Sequence, residues 1–185
     1  MTDEKTERVM AAARQVFIRY GFTRTTMGDI AEAAKMSRPA LYLVFPSKEN
    51  IFSAVIGQSF TEMLAAIREG IDQFESAPDK LTFAFDVWCV RPFELVRVSP
   101  EAKDLLDNGY EFAREFKANA STEFEAIVGE ILKPIAKARR NLKLSATQIA
   151  KISIASLSGF KQSADDAAQL RELIAGLVTI TCDSR

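Results

Sequence analysis

Apolar residues recur at three-and-four spacing near the start of the chain, at Val9, Ala12, Ala13, Val16, Phe17 and Tyr20. That is the stripe of an amphipathic helix, which Gly21 is expected to end as a left-handed C-cap. Phe22, just past the glycine, is placed to fold back on that helix. Thr25 or Thr26 starts a second short helix with Ile30, Ala31 and Ala34 on its inner side, and Ser37 caps a third carrying Ala40, Leu41 and Val44. Pro46 closes this three-helix module. Ser47 then opens a long fourth helix whose broad apolar face runs from Ile51 and Phe52 through Ile67, with an end expected near Ser76.

Beyond Pro78 and Asp79, the run LTFAFDVWCVRPFELVRV is hydrophobic nearly all round and is read as buried helix, kinked or broken at Pro92. Ser99 and Pro100 predict another helix start, with a short helix stopping near Asn108 and Gly109. Phe112, Phe116, Phe124, Ile127, Val128, Ile131, Leu132 and Ile135 mark a long helix, expected to bend at Pro134 and to end near Lys137, Arg139 and Arg140. Ser145 and Gln148 have capping-box spacing for the next helix, and Asp165 or Asp166 opens the last. These two late helices carry more apolar surface than one narrow stripe, with Gly159 and Gly176 as points of close approach, which suggests a partner. No strand series, internal repeat or low-complexity tract interrupts the pattern, so the fold class is all-α: residues 1–46 form the small module and residues 47–185 a larger helical domain.

Composition narrows the function. The 185 residues include no histidine, which removes the usual general base, the commonest transition-metal ligand and any imidazole-based triad. Two cysteines without CxxC spacing, Cys89 and Cys182, are read as buried thiols, and no metal or cofactor is indicated. No apolar run approaches the roughly 20 residues of a membrane span. The opening MTDEKTERVM is too charged for a secretory signal, so the expectation is a cytoplasmic protein without a membrane partner. Net charge is −1, yet residues 1–50 hold eight Lys or Arg against six Asp or Glu, a modest basic excess in the small module.

Two short helices joined by a few residues, with small alanines where the axes cross, are how a helix-turn-helix presents its second helix to a major groove. The block GFTRTTMGDIAEAAKMSRPALYLVFPSKENIF resembles the tetracycline-repressor-like (TetR) family of bacterial transcriptional regulators, with its GF, TT, IAEAA, S, LY, F and SKE elements in order. The resemblance covers about residues 8–56; the remainder resembles the family only in length and helical pattern. It implies an N-terminal three-helix helix-turn-helix DNA-binding domain, and a larger helical ligand-binding and dimerisation domain. It further implies a homodimer through the last two helices, on a palindromic double-stranded operator, and repression relieved by a small-molecule effector. Two positions depart from the family's habit: Lys35 stands where glycine often occupies the turn, and Arg38 where glycine often follows the capping serine.

The candidate DNA contacts are Thr25, Thr26, Lys35, Ser37, Arg38, Pro39, Ala40, Tyr42 and Lys48. Thr26, Tyr42, Lys48 and Lys35 suit phosphates. Arg38 suits a guanine edge, while Pro39 and Ala40 suit a thymine methyl. An apolar or aromatic effector would meet Phe83, Phe85, Trp88, Phe93, Tyr110, Phe112 and Phe116, with Cys89, Asn108 and Arg91 as polar contacts. The competing reading of each aromatic is plain core packing. A helical carrier or enzyme using Asp86, Glu94, Asp104 or Asp107 is the alternative class, and a DNA-binding regulator without a small-molecule ligand is a third reading.

Overall fold

The computed structural model describes residues 4–98, 101, 111–139 and 143–183. The helices are α1 (Glu4–Arg24), α2 (Met27–Ala33), α3 (Arg38–Val44), α4 (Lys48–Ile71), α5 (Ala77–Phe85), α6 (Arg91–Val98), α7 (Glu111–Ala138), α8 (Ala146–Ser163) and α9 (Ala167–Cys182). A π-helical turn, Asp86–Val90, joins α5 to α6. The described residues contain no strand, and none of their helices is long and apolar enough to cross a membrane.

Two compact units emerge. The first comprises residues 1–61 with 95–118, and the second residues 62–94 with 119–185. The first is built on α1 to α3 and the start of α4. Phe17, Phe22 and Phe52 are buried against one another, with ring centroids 4.7 to 6.0 Å apart. Around them pack Val9, Ala13, Ile30, Ala31, Ala34, Leu41 and Ile51, the inner positions that the periodicity assigned. Phe22 reaches this core because Gly21 turns the chain at φ 74° and ψ 165°. That conformation corrects the expected left-handed cap: φ is positive, but ψ lies in the extended range that essentially only glycine occupies. The helix therefore breaks at Gly21 and resumes for one short turn through Arg24.

Four caps follow the sequence. Thr26 accepts from Asp29 N–H, Ser37 from Ala40, Ser145 from Gln148 and Asp166 from Gln169, so Asp166 rather than Asp165 opens the last helix. Other boundaries move. The fourth helix stops at Ile71 instead of near Ser76, and Ser76 instead caps α5 by accepting from Asp79 N–H. At Pro92 the break takes the form of a change of register, in which the Arg91 N–H reaches back to Asp86 O and α6 begins one residue before the proline. Pro134 lies inside α7, which ends at Ala138 as the basic group there predicts. Arg139, however, serves another helix: it donates to the carbonyls of Ile180 and Thr181 at 3.1 and 2.9 Å, at the end of α9. The short helix expected after Ser99 falls largely outside the described residues, as does Arg140.

The second unit buries Leu81, Phe85, Val87, Cys89, Val90, Phe124, Leu132, Leu157, Leu170 and Ile174. Its helices are also held at the surface by one charged group. The Asp86 carboxylate accepts from Arg91 at 3.2 Å and from Arg171 at 3.1 Å, and Arg171 also donates to Glu94 at 2.8 Å, so α9 is tied to both the π-turn and α6.

Candidate nucleic-acid interface

The connection between α2 and α3 is a Schellman turn. The N–H of Lys35 bonds to Glu32 O at 3.0 Å and that of Met36 to Ala31 O at 2.9 Å, with Lys35 at φ 52°. A lysine thus adopts the left-handed geometry that glycine would take, at a cost of about 1 kcal/mol. The turn places α3 with only Leu41 fully buried, and it leaves Arg38, Pro39, Tyr42 and Leu43 exposed on the opposite side. Tyr42 is 53% exposed and Leu43 90%. Leu43 lies outside the candidate contacts, which comprise polar groups and the small apolar surfaces of Pro39 and Ala40. Helical periodicity carries its position: with 41 and 44 on the inner side, positions 42 and 43 face out.

Thr26 and Asp29 form a reciprocal capping box at the start of α2. Asp29 Oδ2 accepts from Thr26 N–H at 2.8 Å and from the Thr26 hydroxyl at 2.7 Å, while Asp29 N–H returns a bond to Thr26 Oγ1. The Thr26 hydroxyl and main-chain hydrogen bonds, with help from the Arg38 charge, hold the Asp29 carboxyl below its ordinary value against a small opposing effect of burial. Thr25 does not belong to the exposed face. It is 2% exposed and gives its hydroxyl to Gly21 O at 2.7 Å, which corrects its place among the DNA contacts.

Lys48 is half-buried, and its ammonium donates to Phe22 O and Thr25 O, both at 2.8 Å, while lying 4.3 Å from the Phe22 ring centroid. It fastens the start of α4 to the turn between α1 and α2, with one donor remaining for anything else. Arg24 is likewise occupied, paired with Glu101 at 3.0 Å and bonded to Tyr20 O. A cleft of about 480 Å³ opens between α1 and α2, lined by residues that include Arg19, Tyr20, Arg24, Asp29 and Glu32.

Of the effector candidates, Phe85, Trp88 and Cys89 lie in the second unit and are packed into it. Trp88 stacks on Phe124 at 4.3 Å and 12°, Phe85 meets the same ring edge-on, and Cys89 is fully buried with its thiol toward Leu157 O. Burial pushes that thiol up to about 11. Phe83 meets Phe74 at a tilt of 40°, with ring centroids 5.5 Å apart, and carries the Arg91 guanidinium over its ring. Phe93 is half-buried, and Phe116, in the first unit, is 42% exposed with its ring against α4 at Gly57. Asn108 and Tyr110 lie outside the described residues, as does the side chain of Phe112. Cys182, expected to be buried, is only half so.

Residues 9–55, the span of this reader, match the family model for bacterial regulatory proteins of the tetR family. Residues 9–55 therefore carry a tetR-type module. A relative from Bacillus subtilis (strain 168), the uncharacterized HTH-type transcriptional regulator YfiR, is 39% identical over 62 residues, which is 34% of this chain and 30% of that one. The chain thus spans about a third of that relative's own length. Among solved structures, a transcriptional regulator from Cytophaga hutchinsonii superposes with a TM-score of 0.77 at 20% identity, covering 97% of each chain. The regulator FadR from Bacillus subtilis, in complex with stearoyl-CoA, superposes with a TM-score of 0.67 at 15% identity, covering 97% of this chain and 98% of that one. The fold of this chain is therefore similar to that of both regulators, at low sequence identity.

Proposed function

We propose that this chain is a cytoplasmic, sequence-specific DNA-binding transcriptional regulator, a homodimer that represses from a palindromic operator and is released by a small apolar or aromatic effector. The observation that carries the reading is α3, buried through Leu41 and exposed along Arg38, Pro39, Tyr42 and Leu43. Residues 1–46 are the DNA-binding domain in this reading and 47–185 the ligand-binding and dimerisation domain. Thr26, Lys35, Ser37 and Tyr42 face phosphates, as does the remaining donor of Lys48. Arg38 reads a guanine edge, and Pro39, Ala40 and Leu43 meet thymine methyls.

Two features support the dimer. Ile152 on α8 is 54% exposed and Ile180 on α9 is 74% exposed, while Gly159 and Gly176 on the same helices have open space beside them. Apolar side chains flanking small residues are what a close helix-to-helix contact between two copies needs. Effector binding acts through α4, which runs from the reader into the second unit, by favouring one separation of the two α3 helices over another. The stearoyl-CoA held by the Bacillus subtilis neighbour is in line with an apolar effector.

Selection of duplexes from a random library tests the reading. The expected product is two inverted half-sites spaced by about 10 base pairs or a multiple. Affinity for it should fall steeply as salt rises, because each phosphate contact releases counterions. Equal retention of all duplexes, or of none, would sink the proposal. A second reading, a DNA-binding regulator without a small-molecule ligand, is favoured by the packing of Phe85 and Trp88 on Phe124 and by the full burial of Cys89. Native mass spectrometry of the purified chain separates the two: a co-purified small molecule supports the effector, and a bare mass after addition of candidate acyl thioesters and aromatics supports the second reading.

A further inference from the structure

We infer that Gly28 is a specificity-positioning residue: its bare Cα on α2 is the seat for the Arg38 guanidinium of α3, and so sets which base Arg38 reads. The inference rests on the DNA-reading proposed above and adds a residue that has no side chain to offer the duplex.

A Cβ built on Gly28 would collide with Arg38, and the three atoms nearest to it are Nη2, Cζ and Nε of that one guanidinium. The charged group therefore lies against the surface of α2 while the residue stays exposed. Its backbone is fixed as well, since Arg38 is the first residue of α3, between the Ser37 cap and Pro39. Asp29 stands beside the seat, its carboxylate anchored by Thr26, and it feels the Arg38 charge. Arg38 and Asp29 make no hydrogen bond with each other, so the opposite charge draws the guanidinium toward α2 without consuming its donors. A planar fork held in one place loses less freedom when it docks on guanine O6 and N7 than one that must be ordered from solution.

Glycine is a poor residue for the first turn of a seven-residue helix, and alanine would favour the helical state of α2. The three atoms nearest to an alanine Cβ all belong to the far end of a flexible side chain. Gly28→Ala should therefore leave the fold as stable as before or more so, while unseating Arg38.

Binding-site selection on the full chain would compare the parent with Gly28→Ala, Arg38→Ala, Arg38→Lys and the Gly28→Ala/Arg38→Ala pair, with thermal unfolding recorded for each. Gly28→Ala is expected to unfold at or above the parent temperature and to lose discrimination at one base per half-site, roughly 5-fold to 100-fold. Arg38→Ala should lose discrimination at the same base, as should Arg38→Lys, which keeps the charge but not the planar fork. The paired variant should be no worse than Arg38→Ala alone. A Gly28→Ala profile matching the parent, while Arg38→Ala changes it, overturns the seat and leaves DNA reading intact. Losses at different bases that add in the paired variant overturn it too, as does a Gly28→Ala chain that unfolds well below the parent. Loss of site preference by no variant, or a parent with no preferred site, would overturn the role of Arg38 or the DNA reading itself.

Discussion

Lys48 gives two of its three ammonium donors to main-chain carbonyls and lays the same group over the Phe22 ring. Hydrogen bonds to a charged group are each worth about 1.5–3 kcal/mol, and this one is half-buried. Lys48→Ala is therefore expected to lower the stability of the DNA-free protein by about 1–3 kcal/mol. A denaturant titration without DNA would read this, and an unchanged midpoint would assign Lys48 to the duplex alone. Asp29 carries a pH dependence of definite sign. Its carboxyl titrates lower in the fold than in the unfolded chain, so its contribution is complete above the unfolded value of 3.8 and fades as pH falls through the folded value. Acid unfolding of Asp29→Asn should begin at higher pH than that of the parent, and superimposable acid curves would count against the capping box. The roles of Thr26 and Ser37 were legible because a cap is a three-residue relationship. That of Lys48 was not, because its acceptors lie 26 and 23 residues away.

At the scale of elements, the same distinction decides what the sequence discloses. Apolar spacing and caps located most of the helices, but the run LTFAFDVWCV is apolar on all sides and so carries no mark of register. The π-turn at Asp86–Val90 could not be read from it. Nor could the grip of Arg171 on Asp86 and Glu94, whose partners are 85 and 77 residues distant. These are largely exposed pairs, and such a pair contributes about 0–1 kcal/mol, reduced by salt. Arg171→Ala should accordingly destabilise the protein by no more than about 2 kcal/mol at low ionic strength, with the difference shrinking in high salt. Melting curves at two salt concentrations would test this, and a salt-independent loss would point to packing instead of charge.

For the molecule as a whole, the helix-turn-helix module was legible, whereas the role of the aromatic residues in the second unit was not. Residues 25–49 combine two caps, a turn and an outward helix face, a conjunction that a buried core has no reason to produce. Aromatic spacing, by contrast, is the same whether rings line a cavity or fill one, and Trp88 on Phe124 fills it. The compact units also cross the helix boundaries: α4 begins in one and ends in the other, which periodicity along a single helix does not register.

Cys89 turns this division into a measuring device. Its thiol is fully buried in the second unit, the other cysteine is half-buried near the chain's end, and the first unit contains none. Burial keeps the Cys89 thiol protonated to about pH 11, so a thiol-specific dye at neutral pH can label it only when that core opens. The native chain should label at no more than one thiol quickly and at two in denaturant. Rapid labelling of both in the native state would contradict the packing. The slow phase would then time the breathing of the second unit, and its lengthening or shortening would report which added molecules clasp that unit.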